Sequence, residues 1–167
     1  MENVKACCFS GHRKIPNYRI EDLKSELFGA IEDLISDGYT YFLAGGALGF
    51  DTLAAEAVLE MRVIYPEIKL KLVLPCLSQT NGWNLQDKMK YEAIREKADE
   101  IMYTSMAYYS GCMHERNRYL VDNSSACICY LTENKGGTAF TINYAKKKGL
   151  EIINLGIKGD VKKAKTV

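Results

Sequence analysis

Net charge is the first thing this sequence lacks. Its 22 lysines and arginines stand against 21 aspartates and glutamates, leaving +1 with the histidines neutral. That balance argues against a whole-domain field for duplex nucleic acid, although it leaves room for a local basic patch. Long apolar runs are missing as well. No stretch approaches the roughly 20 apolar residues that a membrane-spanning helix needs. Residues 1–6 carry Glu2 and Lys5, with no apolar leader core behind them. The expectation is a cytoplasmic protein with no membrane partner. Metal-ligand spacing is absent too. The six cysteines contain no C-x-x-C pair, and His12 and His114 are the only histidines. Cys7, Cys8, Cys127 and Cys129 sit inside apolar runs, where a reduced thiol behaves as a small hydrophobe. Cys76 and Cys112 fall near element ends. The sequence therefore calls for six free thiols, no metal and no cofactor.

What is present is a regular alternation. Apolar runs at residues 4–9, 39–44, 69–74, 100–103, 126–131 and 151–155 read as strands. Between them, helical spacing covers residues 19–36, 51–64, 84–98, 112–122 and 138–148. Gly38 and Gly149 stand where two of these helices stop. Strand and helix alternate without a hairpin signal, which predicts a Rossmann-like three-layer αβα fold around a mostly parallel six-stranded sheet. Residues 1–157 form a single domain, and residues 158–167 a lysine-rich tail expected to fray. There is no internal repeat, linker or low-complexity block.

In such sheets, ligands bind outside the carboxyl ends of the strands. The loops at those ends are glycine-rich. Ser10, Gly11, His12 and Arg13 follow the first strand. Gly45, Gly46, Gly49 and Asp51 follow the second, and Gly136, Gly137 and Thr138 follow the fifth. Glycine lets a backbone approach phosphate closely, and the next helix offers free N–H groups and a favourable dipole. The pattern is neither a Walker A motif nor the dinucleotide fingerprint. These loops place the first, second and fifth strands side by side or nearly so, around one anion-binding cleft. Arg116 and Asn117 lie near the start of the fourth helix, where Arg13 and Arg116 would neutralise phosphate. Asp51 would cap the second helix or bind a ribose hydroxyl. Trp83, Tyr108 and Tyr109 would stack on a base or pack the loops together.

Three of these segments resemble a known group. Residues 44–51, Glu115 to Arg118 and Lys135 to Thr138 are similar to the Rossmann-like core of the DNA-processing protein DprA. Met113-His114-Glu115-Arg116 also resembles the LOG enzymes, the cytokinin-activating phosphoribohydrolases. Both belong to the SLOG superfamily. Ser10 to Arg13, with Trp83 and Tyr91, looks most like its bacterial YpsA-like branch. The resemblance covers about Val4 to Gly156 and implies a nucleotide or nucleotide-derived small-molecule ligand. LOG enzymes carry a catalytic glutamate three residues after the threonine of their glycine motif. That position is Thr141 here, so Arg116 matches their catalytic arginine without its carboxylate partner. The leading expectation is a nucleotide-binding protein with a regulatory or sensing role. The alternatives are a divergent nucleosidase or phosphoribohydrolase and a DprA-like single-stranded nucleic-acid module. Homo-oligomerisation stays open.

Overall fold

The computed structural model describes residues 4–156. The lysine-rich tail lies outside the described residues. Six strands alternate with five helices: β1 (Lys5–Gly11), α1 (Ile20–Ser36), β2 (Tyr39–Ala44), α2 (Phe50–Ile64), β3 (Lys69–Leu74), α3 (Leu85–Lys97), β4 (Glu100–Tyr103), α4 (Cys112–Asp122), β5 (Ala126–Tyr130), α5 (Gly136–Lys147) and β6 (Glu151–Asn154). A short 3₁₀ turn, Asn17–Arg19, precedes α1.

The sheet order is β4-β3-β2-β1-β5-β6, and every pairing is parallel. The chain steps outward from β1 to β4. It then crosses back through α4 to start β5 on the other side of β1. Neighbouring connections therefore diverge at β1 and β5, which is the switch point where open α/β sheets form a crevice. β2, β1 and β5 are consecutive, so the loops that follow them share one edge.

Helices α1, α2 and α3 cover one face, packed on Phe9, Phe42 and Leu72. Helices α4 and α5 cover the other, where Leu120, Val121 and Ile142 meet Cys8, Cys127 and Cys129. β5 is buried along its whole length, which explains its unbroken apolar run. All six cysteines are free thiols and are buried. Each fully buried Phe contributes roughly 1.5–3 kcal/mol through lost apolar surface. Phe9 stacks on Phe42 and meets Phe50 edge-on, tying two strands to α2.

The structure moves two boundaries in ways that matter for the site. β1 continues to Gly11, because Ser10 and Gly11 pair with Cys129 and Tyr130. Ser10 and Gly11 therefore belong to the strand end rather than to a loop. α5 begins at Gly136, two residues before Thr138, so both glycines lie in its first turn. The sheet is wholly rather than mostly parallel.

Candidate functional site

A cavity of about 670 Å³ opens at the switch point. Its floor is the end of β1, from Phe9 to Arg13. One wall is α4, with Met113, His114, Arg116, Asn117 and Leu120. The opposite wall is the first turn of α5, from Lys135 to Thr138, and Ala47 and Asp51 close the side towards α2.

The first turn of α5 is the open part of this site. The N–H groups that begin any helix have no intrahelical partner. No side chain caps α5, and no acidic residue stands in its first turn. Gly136 has φ +85°, a conformation that side-chain-bearing residues rarely adopt. A Cβ added at Gly136 or Gly137 would meet nothing within 4 Å. Free N–H groups, a positive dipole end and empty space in front of them form an anion-binding arrangement. Arg13, exposed, adds positive charge at the rim, and Lys135, also exposed, stands there paired with Glu133 at 3.5 Å.

The glycines after β2 serve another purpose. A Cβ at Gly45 would lie 2.6 Å from the Arg116 guanidinium. At Gly46 it would lie 2.6 Å from Leu74, and at Gly49 2.1 Å from the backbone oxygen of Arg13. These three glycines were expected to cradle phosphate; the structure sets them against protein atoms instead, and none lines the cavity. At the start of α2 the Phe50 N–H is taken, donating to the His12 carbonyl at 3.1 Å. Gly11 lines the cavity, but its missing side chain leaves room for Phe50, whose ring would lie 2.4 Å from a Cβ there.

Arg116 is 5% exposed rather than a free cation at the mouth. Its Nη1 donates to the carbonyls of Gly45 and Val73, and its Nε donates to Asn117 Oδ1 at 2.8 Å. Its Nη2 lies 3.9 Å from Met113 Sδ. Of five guanidinium hydrogens, one on Nη2 is left for the cavity. Gly45 O also accepts from Gln79 Nε2 at 3.1 Å, and Tyr91 donates to Gln79 Oε1 at 3.1 Å. Arg116 and Gln79 thus clamp the β2–α2 loop from two sides.

Asp51 does not cap α2; Gly49 occupies the cap position. Its Oδ2 instead accepts from the Ala47 N–H at 3.3 Å, closing the loop that precedes the helix. The carboxyl is buried on the cavity side. Burial pushes its pKa up to about 6, against the pull of Arg116 and of the Ala47 N–H. Burial also lowers the Arg116 pKa, with Asp51 resisting. Asp51 is the only carboxylate on the cavity wall among the described residues.

The two histidines take different positions. His12 Nε2 accepts the Thr132 N–H at 3.0 Å, linking the ends of β1 and β5. His114 faces the cavity, its ring 4.3 Å from that of Phe140. Trp83 is away from the cavity: it packs edge-on against Tyr91 and lines a small hollow between α2 and α3. Tyr108 and Tyr109 are exposed and do not line the cavity. Thr141 is buried and donates to Gly137 O at 3.0 Å. Lys135 and His114 were missed as site residues. Lys135 was legible as the residue directly before the glycine pair, whereas the placement of His114 depends on how α4 meets α5. No helix among the described residues is long and apolar enough to cross a membrane.

The fold is shared with DNA processing protein A from Helicobacter pylori, a protein studied for its single-stranded DNA binding mode. That likeness has a TM-score of 0.63 at 20% identity, over 90% of this chain and 64% of the other. DNA processing protein A from Streptococcus pneumoniae gives a TM-score of 0.64 at 14% identity, over 90% of this chain and 50% of that one. This chain thus spans about half to two-thirds of their length. In sequence it is 32% identical over 133 residues to a UPF0398 protein of Bacillus thuringiensis, covering 78% of this chain and 72% of the relative. Residues 10–154 match the YspA SLOG family, and the chain belongs to that family.

Proposed function

We propose that this chain binds a nucleotide or nucleotide-derived molecule in the switch-point cavity and serves a regulatory or sensing role. The uncapped first turn of α5, facing the 670 Å³ cavity, carries this reading. A phosphate would accept from the N–H groups of Gly136, Gly137 and Thr138, and Arg13 and Lys135 would screen its charge. Ser10, His12 and Asn117 would contribute polar contacts along the floor and the α4 wall. The glycines at 45 and 49 act on the ligand only indirectly, by letting Arg116 and Arg13 come close, and Gly46 makes room for Leu74. Sensing is favoured over turnover because Thr141 turns its hydroxyl back onto its own helix.

One observation favours a second reading, a divergent phosphoribohydrolase. Asp51 is a desolvated carboxyl on the cavity wall with a pKa of about 6, and it neighbours Arg116. Such a group suits acid–base work near neutral pH.

Thermal unfolding with a panel of nucleotides and a short oligothymidylate separates the readings. A ligand that binds only the folded state raises stability by mass action. Stabilisation by small nucleotides without release of free base supports sensing. Release of free base, abolished in Asp51→Asn, supports the hydrolase. Tighter binding of the oligonucleotide than of any mononucleotide contradicts both.

A further inference from the structure

We infer that Cys76 and Cys112 are a redox-active dithiol. A small two-electron oxidant, hydrogen peroxide, closes them to a disulfide that locks α4 to the β3–α3 loop, and an added dithiol reopens it. The inference is independent of what the cavity binds.

Neither cysteine lines the cavity, and each is 1% exposed. Their side chains meet because the end of β3 and the approach to α4 are held together. The Thr104 N–H donates to the Leu74 carbonyl at 2.9 Å, and the Leu77 N–H to the Met106 carbonyl at 3.2 Å. Arg116, one turn after Cys112 on the same face of α4, reaches the carbonyl of Val73. Cys76 stands three residues beyond Val73. The Cys112 thiol is accordingly in hydrogen-bond contact with that of Cys76, whose Sγ also lies 3.7 Å from Ser78 Oγ. No group of three or more metal-binding side chains occurs among the described residues, so a third ligand is lacking beside this pair.

The other thiols are placed differently. Cys127 touches Cys8 and Cys129, but all three are 0% exposed and sit in strands paired on both sides. Oxidising them requires the centre of the sheet to part. Cys76 and Cys112 instead adjoin exposed turn residues, Leu77 and Gly111. A small local opening admits peroxide there, whereas a bulky reagent finds both thiols closed. One thiolate attacks the peroxide O–O bond, giving a sulfenic acid and hydroxide, which takes up the proton that thiol released. The second sulfur then displaces the sulfenic hydroxyl, which leaves as water with the second thiol's proton. Two thiols and one peroxide thus become one disulfide and two waters. Burial pushes the Cys112 thiol up, with Cys76 adding to the rise and Arg116 opposing it, so Cys112 rests as a thiol at neutral pH.

The bond would join two arms of one clamp. Cys112 opens the helix that carries Arg116, and Cys76 opens the loop that carries Gln79. Both of those side chains donate to the Gly45 carbonyl. Tying the arms covalently should make the β2–α2 loop open less often.

The reduced full chain, treated with hydrogen peroxide, is alkylated under denaturing conditions and mapped by mass spectrometry without reduction. Four of the six thiols should remain alkylatable, with the peptides of Cys76 and Cys112 joined until dithiothreitol is added. Tm should rise by about 5–15 °C, as for a cross-link closing a loop of this length. Amide exchange across residues 45–50 should slow about fivefold or more. Cys76→Ser and, separately, Cys112→Ser should lose the joined peptide, the Tm rise and the slowed exchange. Circular dichroism checks that both variants fold, and the wild-type mapping depends on neither. Six alkylatable thiols after peroxide, or a joined peptide containing Cys8, Cys127 or Cys129, overturns the inference. A joined Cys76–Cys112 form with the Tm and exchange of the reduced chain also overturns it, because the bond would then lock nothing.

Discussion

Gly137→Ala should separate fold from function in a single methyl group. Gly137 lies in the first turn of α5, has no positive φ, and a Cβ there would meet nothing within 4 Å. Replacing helical glycine by alanine removes backbone freedom from the unfolded chain, worth about 0.5–1 kcal/mol in a helix interior and less in a first turn. Chains of 150–250 residues gain about 2–4 °C in Tm per kcal/mol. The variant should therefore melt at the wild-type temperature or up to about 3 °C above it. The added methyl would nevertheless occupy the space in front of the N–H groups, so nucleotide binding should weaken at least about tenfold. Gly49→Ala is the contrasting control. It forces alanine into φ +79°, costing roughly 1–2 kcal/mol. It also sets a Cβ 2.1 Å from the Arg13 oxygen, with overpacking worth about 1–3 kcal/mol more. Its loss should show as a urea midpoint lowered without a change in slope. The reasoning is refuted if Gly137→Ala destabilises the chain by more than about 1 kcal/mol, or if it binds nucleotides as the wild type does.

Arg116→Ala should destabilise by about 3–5 kcal/mol in urea, because it leaves Asp51 buried without its counter-charge and Val73 O without its donor. Arg116→Lys should recover only part of this, since an ammonium cannot span Gly45, Val73 and Asn117 together. The Asp51 carboxyl rises from 3.8 to about 6 on folding. Between those pH values the unfolded state has released its proton and the folded state has not, so stability falls as pH rises through the window. The full effect is about 3 kcal/mol at most and is flat below pH 3.8 and above about pH 6. Asp51→Asn should lose that pH dependence in denaturant titrations from pH 3.5 to 7. The cysteines are at most 1% exposed. A thiol reagent should consume none in the native protein and six after unfolding.

The fold was legible because its signals are local. β5 reads as an apolar run since both of its faces are covered, and the helices carry one buried stripe each. The adjacency of β2, β1 and β5 followed from asking three loops to serve one crevice. The site was legible only in part, because a glycine's purpose is set by what faces it. Gly45-Gly46 and Gly136-Gly137 look alike in sequence, yet the first pair faces Arg116 and Leu74 and the second faces open space. Arg116 read as a cation facing the cleft, free to neutralise phosphate. It is buried because the crossover from β4 to β5 lays α4 across the ends of β3 and β1. Trp83 sat in a strand-end loop, as a base-stacking residue would, but the ring of Tyr91 claims it.

The central claim is that α5, and not the glycine loop after β2, receives the anion. Amide chemical shifts of the ¹⁵N-labelled protein, titrated with ribose 5-phosphate, test it residue by residue. Saturable shifts are expected at Gly136, Gly137 and Thr138, with Gly45, Gly46 and Gly49 moving far less. Dominant shifts at Gly46 and Gly49, or none at Gly136 to Thr138, would contradict it.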